Sequence, residues 1–252
     1  MSEPLPEVRA VTFDCWGTLI RELDPNDARQ LRLEALARAC ERARSGSAGT
    51  GVDEALDAAW QRHVSLSQRG RASGSLEIAR WSLEALGVED RSTVDPLARE
   101  FAEAALGCPV QALDGALETL QALSREGIRR ALVCDTGFSP GRVVRRLLDR
   151  EGLLDELEFL VFSDELGVPK PHARTFLTAL EALGVSAREA VHVGDLRRTD
   201  VAGARAAGLA SIRIRAAHDD TSDLAEADRV ADSHGHLCQL LGVSLEGVRA
   251  TP

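Results

Sequence analysis

Asp14 directly follows a short apolar run, Ala10-Val11-Thr12-Phe13, and a Gly17-Thr18 breaker comes soon after it. That places the carboxylate at the end of a buried strand, where it is costly without a partner. A single aspartate in such a place most often caps a turn. The sharper alternative is a nucleophile or metal ligand at the carboxyl edge of a parallel sheet, where open α/β folds hold their ligands. Three further polar stretches lie beside strands: Cys134-Asp135-Thr136-Gly137, Lys170-Pro171, and Gly194-Asp195 with Asp200 five residues on. Two or three carboxylates and one lysine brought to one edge suit a hard divalent cation with oxygen ligands, magnesium before others, which would offset the charge of a phosphate. A compact ammonium at Lys170 fits the same chemistry, because it can hold carboxylates together and pair with a phosphoryl oxygen.

The elements that must deliver these residues are legible in the pattern of the chain. From Asn26 to Leu106 apolar residues recur at three- and four-residue spacing, predicting helices over Ala28–Arg44, Val52–Gln68, Leu76–Leu86 and Val94–Leu106. Breaks fall at Ser45-Gly46-Ser47-Ala48-Gly49, Gly70 to Gly74 and Gly87 to Asp90. From Gly115 strands and helices alternate: a helix to Glu126, strand Arg130–Cys134, helix Gly141–Arg150, strand Phe159–Phe162 and helix Ala173–Leu183. Strand Ala190–Val193, helix Val201–Ala207 and strand Ser211–Ile214 follow. Such alternation implies an α/β fold, a mostly parallel sheet with helices on both faces. The strand ending at Phe13 must join that sheet, since alone its backbone groups would be unpaired. Residues 1–22 and 110–252 are therefore expected to form one core domain, and residues 23–109 a separate α-helical cap domain.

Phe13-Asp14-x-x-Gly17-Thr18-Leu19, then Lys170-Pro171, then Gly194-Asp195-x-x-x-x-Asp200, in this order and strand context, resemble the motifs of the haloacid dehalogenase superfamily, in the branch with a helical cap after the first motif. The resemblance spans Val8 to Leu241 and implies a Rossmann-like core. It gives Asp14 the role of nucleophile, Lys170 that of the third-motif lysine, and Thr18 that of the threonine steadying the first loop. It implies a magnesium ion held by Asp14, the main-chain carbonyl of Trp16 and Asp195, with Asp200 just behind them. Cys134 stands where a serine or threonine usually donates to the phosphoryl group, and Cys15, Trp16, Thr136 and Gly137 would line the substrate. The implied activity is that of a phosphatase acting on a small phosphorylated metabolite through an aspartyl-phosphate.

Two departures qualify that expectation. The family's phosphatases usually carry a second aspartate two residues after the nucleophile as general acid and base; here that residue is Trp16, and general acid–base help is commonly worth about 10² to 10⁴ in rate. At Cys134 a thiol, a weaker donor than a hydroxyl, replaces the usual group. Haloacid dehalogenases themselves carry an aromatic residue at the position of Trp16 and displace halide from carbon without a metal, which makes them the rival reading. The acidic pair Asp195 and Asp200 argues for phosphate instead. An early insert arginine that would hold a haloacid carboxylate, Arg29 or Arg32, lies in a charged helix whose solvated face accounts for both. A third reading, a binding or regulatory protein that retains fold and metal, is opposed by retention of the nucleophile, the lysine and the acidic pair together.

Other features are expected to be structural. His234-Gly235-His236-Leu237-Cys238 has the letters of a zinc cluster but fits a helix start leading to Leu240-Leu241. His192 alternates with Val191 and Val193 inside a strand and reads as packed, His172 could line the site, and Trp60 and Trp81 read as packing on insert helices. Asp135 either faces the ligand or steadies a turn. Among the 252 residues, 44% hydrophobic and 28% charged, no apolar run is as long as a membrane span, and MSEPLPEVRA lacks a basic-then-apolar leader pattern. A net charge of −10 opposes nucleic-acid binding. Five cysteines without a C-x-x-C pair point to reduced thiols in the cytoplasm. A homodimer is the candidate assembly.

Overall fold

The computed structural model describes residues 7–43 and 51–245. In chain order the strands are β1 (Ala10–Phe13), β2 (Ile20–Glu22), β3 (Val110–Ala112), β4 (Arg129–Cys134), β5 (Phe159–Phe162), β6 (Ala190–Gly194), β7 (Ala210–Ile214) and β8 (Arg229–Ala231). The helices are α1 (Pro25–Arg42), α2 (Val52–Gln68), α3 (Ser75–Ala85), α4 (Val94–Glu103) and α5 (Ala116–Arg125). They continue with α6 (Gly141–Arg150), α7 (Ser163–Leu166), α8 (Ala173–Leu183), α9 (Ala202–Ala207) and α10 (His234–Leu241). The chain divides into two compact units, one of Met1–Arg21, Gln111–Asp135 and Leu148–Pro252, the other of Glu22–Val110 and Thr136–Leu147.

The first unit is built on a six-stranded sheet in the order β5-β4-β1-β6-β7-β8, every neighbouring pair parallel. This is the Rossmann-like α/β architecture. β1 is buried along its whole length because it has a strand on each side, with Thr12 level with Ala131 of β4 and His192 of β6. Parallel strands buried on both faces read as apolar runs, and β1, β4 from Ala131 onward and β6 do apart from Thr12 and His192. Phe13, Phe162, Phe176, Leu120 and Leu123 are fully buried, each contributing about 2 kcal/mol of transfer free energy. A Cβ on Gly203 of α9 would collide with the Phe176 ring, so glycine there lets α8 and α9 close on one another.

In the second unit α1 to α4 share a core that includes Leu36, Ile78, Leu83, Leu97 and Phe101. α1 begins at Pro25, three residues earlier than the periodicity predicts, because Asp24 caps it by accepting from the Asn26 amide at 2.8 Å and Pro25 needs no donor in the first turn. Its predicted last residue, Arg44, and the break at 45–49 lie outside the described residues, as do residues 1–6 of the amino-terminal stretch. Arg32 corrects an expectation. It is buried, its Nε donates to the Phe101 carbonyl at 3.3 Å, and its guanidinium lies 4.2 Å from the Phe138 ring centre. The reason is its place on the stripe Ala28, Arg32, Leu36, Ala39 that faces inward, and burial pushes its pKa down to about 10. Arg29 does lie on the solvated face, paired with Asp53 and Asp57.

The helix predicted to run to Leu106 ends at Glu103, and Ala104–Gly107 tightens into a 3₁₀ turn. β2, β3 and β8 are three residues each, too short for a period-two pattern to show in the sequence. β2 and β3 pair with each other as a separate two-stranded sheet. No helix among the described residues is long and apolar enough to cross a membrane.

Candidate active site

Asp14 extends β1 by one residue, its amide donating to the Val193 carbonyl at 2.8 Å, so its side chain leaves the sheet at the carboxyl edge beside β6. The chain then doubles back. The Cys15 carbonyl accepts from the Leu19 amide at 2.8 Å and the Ile20 amide at 3.0 Å, and the Gly17 amide donates to the Ile20 carbonyl at 2.8 Å. Gly17 has φ of +74°, and a Cβ on it would strike the Asp195 carboxylate. Backbone freedom and close approach therefore both require glycine at this position.

Lys170, 2% exposed, reaches into the same space, with Nζ donating to Asp14 Oδ1 at 2.5 Å and to Asp200 Oδ1 at 2.7 Å. Its own amide donates to Asp135 Oδ1 at 2.8 Å, so Asp135 ties the loop after β4 to the segment bearing the lysine. Asp200 sits in the single π-helical turn Arg197–Val201, where its Oδ2 accepts from the Leu196 amide at 3.0 Å and the Thr199 hydroxyl at 3.1 Å. A Cβ on Gly194 would collide with Asp200, so the end of β6 must be bare for that turn to fold back. Thr18 Oγ1 donates to Asp14 Oδ2 at 3.4 Å.

Asp14, Asp195 and Asp200, all buried, place carboxylate oxygens within 4.8 Å of one another, the one such cluster of potential metal-holding groups among the described residues. Burial first, then Lys170 and the neighbouring negative charge of Asp200, leave the Asp14 carboxyl raised to about 6. Asp195 is raised further, to about 8, by burial and by the charges of Asp14 and Asp200. Burial opposes ionisation of Asp200 too, but Lys170 and the His192 hydrogen bond hold it below its ordinary value. Burial alone would lower Lys170, yet the facing carboxylates raise it, so it stays charged. With all three carboxylates ionised, one ammonium leaves a surplus of negative charge, and the donors are hard oxygens. That set fits a divalent cation such as magnesium.

The sequence-derived residues fall out unevenly. Asp14, Thr18, Lys170, Asp195 and Asp200 converge in the first unit, with Cys15 and half-buried Trp16 on the same loop. The Cys134 thiol is buried and donates to the Asp135 carbonyl at 3.5 Å, and the neighbouring Cys15 thiol together with burial pushes its pKa well up. Thr136 and Gly137 belong to the second unit, where a Cβ on Gly137 would press on Trp60 at 2.8 Å and on His63 Nε2 at 3.1 Å. His172 is exposed and caps α8, its Nδ1 accepting from the Arg174 amide at 3.2 Å.

Sequence reasoning missed the polar contacts of two histidines near the site. His192 is packed as expected, edge-on to Phe176, but it also bridges Thr12 Oγ1 at 2.9 Å and Asp200 Oδ1 at 3.1 Å. A polar Thr12 level with His192 on neighbouring strands was the available signal. His218, in the polar loop after β7, lies with Nδ1 3.3 Å from Asp195 Oδ2, and nothing in its local sequence marks it.

A family model for haloacid dehalogenase-like hydrolases matches residues 8–208. Haloacid dehalogenase-like hydrolase domain-containing protein 3 is 30% identical in human, over 82% of this chain and 82% of that protein, and 30% identical in cattle, over 63% and 61%. The match thus spans about three fifths of the bovine protein's length. A phosphoglycolate phosphatase of Xanthomonas campestris pv. campestris is 31% identical over 65% of this chain and 78% of its own. Among solved structures, a 2-haloacid dehalogenase from Pseudomonas syringae pv. Tomato DC3000 shares the fold with a TM-score of 0.65 at 23% identity, covering 93% of this chain and 98% of that one. Fold, motif order and family match agree: the chain belongs to the haloacid dehalogenase-like hydrolases.

Proposed function

We propose that this hydrolase is a magnesium-dependent phosphatase for a small phosphorylated metabolite, with Asp14 as nucleophile. The observation that carries the reading is the approach of three buried carboxylates within 4.8 Å around a single lysine. A site that only displaced halide from carbon would have no use for that concentration of negative charge. Asp14, Asp195 and the Trp16 carbonyl would hold the ion, with Asp200 alongside, and the ion when bound would neutralise phosphate charge. The phosphoglycolate phosphatase relative supports a phosphate substrate.

An Asp14 carboxylate oxygen attacks phosphorus in line, the bond from phosphorus to the leaving oxygen breaks, and an aspartyl-phosphate results. Water then attacks that phosphorus, releasing inorganic phosphate and restoring the carboxylate. Lys170 neutralises the carboxylates and pairs with a phosphoryl oxygen, while Thr18 steadies the other Asp14 oxygen. No carboxylate stands at position 16 to protonate the leaving oxygen, so activated esters should react faster than alkyl phosphates. The reaction belongs in the cytoplasm, a reading supported by five cysteines that are all free thiols.

Trp16 favours a second reading, attack by Asp14 on the carbon of a small haloacid. Incubation with an aryl phosphate, with and without magnesium, beside Asp14→Asn separates the two. Metal-dependent phosphate release abolished in the variant supports the phosphatase, whereas chelator-insensitive halide release from a haloacid, with no phosphate release, would overturn it.

A further inference from the structure

The loop that carries Asp14 is gripped from behind by a residue beyond the matched region 8–208. His234 opens α10 immediately after Ser233, whose hydroxyl caps the helix by accepting from the His236 amide at 3.1 Å. The His234 side chain is wholly buried, and its Nε2 lies 2.9 Å from the Thr18 carbonyl oxygen. A carbonyl can only accept, so Nε2 bears the proton and donates. Burial lowers the pKa of the ring, which is therefore neutral and has a single N–H. Its Nδ1 is left as a buried lone pair without a hydrogen-bond partner.

That arrangement is unfavourable for packing alone. A leucine would occupy similar space without enclosing an unpaired nitrogen. The ring is nevertheless accommodated closely: Gly115, at φ +83°, lies where a Cβ would come within 3.0 Å of the His234 Cβ. What the polar ring gains is the bond to Thr18, and the Thr18 hydroxyl in turn donates to Asp14 Oδ2.

We propose that His234 is a positioning residue for the nucleophile, fixing the Thr18 backbone so that the Thr18 hydroxyl and Lys170 each hold one oxygen of Asp14. This rests on Asp14 being the nucleophile, but the loop-holding role can be read without turnover. It is tested in the full-length, metal-free protein by amide hydrogen exchange at Gly17, Leu19 and Ile20, comparing the parent with His234→Leu, His234→Gln and Leu237→Ala. The glutamine amide nitrogen can stand near the place of Nε2, and Leu237, fully buried in α10, serves as a packing control. H234L should exchange about tenfold faster at those three amides while β1 and α10 keep parental rates, H234Q should stay near parent, and L237A should not loosen the loop selectively. With an aryl phosphate and magnesium, kcat should fall about tenfold in H234L at unchanged KM and return in H234Q. If H234L does not fold, His234→Asn, whose amide ends near the place of Nδ1, takes its part with the same expectations. Parental exchange in the variant that lacks a donor at the place of Nε2, H234L or H234N, or equal loosening in L237A, overturns the proposal. Absence of phosphatase turnover in the parent would instead sink the proposed activity, with the exchange pattern still deciding the role of His234.

Discussion

The Lys170 ammonium lies 2.5 Å from Asp14 Oδ1, and both side chains are buried. Removing one member of such a pair leaves the other charged and unsatisfied. Lys170→Met should therefore lower stability by about 3–5 kcal/mol and abolish turnover, because Asp14 and Asp200 then face each other without a cation between them. Chemical denaturation gives the first quantity directly, and an unfolding free energy within 1 kcal/mol of the parent, the order of an exposed pair, would contradict it.

Asp195 has His218 as its neighbour and, among the described residues, no lysine or arginine ion pair, and its ionised form is disfavoured by burial and by Asp14 and Asp200. Its folded pKa of about 8 lies above the ordinary 3.8, so the charge becomes a growing liability as pH rises between those values. Asp195→Asn should raise the melting temperature in chelator at pH 8, on a scale of about 2–4 °C per kcal/mol for a chain of this size. Magnesium should stabilise the parent by about 2.7 kcal/mol at one hundred times its Kd and leave the variant nearly unmoved. A parent whose melting temperature ignores magnesium at every concentration would remove the cation from the account.

At Trp16 a carboxylate would supply the absent leaving-group acid. Trp16→Asp should raise kcat on an alkyl phosphate about tenfold or more while changing aryl phosphate turnover much less, the difference isolating proton donation from packing. Equal changes on both esters would show that only the loop had been disturbed.

Away from the site, Glu226 hydrogen-bonds Arg213 and is held down to about 2, mainly by that bond. Its folded value lies below the ordinary 4.5, so its stabilisation is fully present above 4.5 and is lost as pH falls toward 2. Because the Glu226 side chain is 38% exposed, solvent screening limits the effect to about 1 kcal/mol or less. Glu226→Gln should lie below the parent in stability at pH 7 and converge with it toward pH 2, as followed by urea titration across that range.

The convergence of Asp14, Lys170, Asp195 and Asp200 was legible because its signals are local: each adjoins a short motif or a strand end, and a parallel sheet brings those ends to one rim. His218 and His234 were not, since each meets its partner only through tertiary packing. Arg32 was misread for a related reason: charge suggested the solvated face, whereas its spacing from Ala28 and Leu36 already placed it on the inward stripe. In the fold, Val52–Gln68, Gly141–Arg150, Phe159–Phe162 and Ala173–Leu183 have the bounds that their periodicity predicts. The three-residue strands escaped because they are held by pairing and carry too few residues to display a pattern.

β1 ends up between β4 and β6, pairing at Ala10 with Arg129 and with Ala190. On a ribosome adding about 5–20 residues per second, β1 waits on the order of ten seconds or more for its second neighbour. Lys170 emerges in that interval, ahead of Asp195 and Asp200. The order of synthesis thus brings out the counter-charge before two of the three acids it must balance.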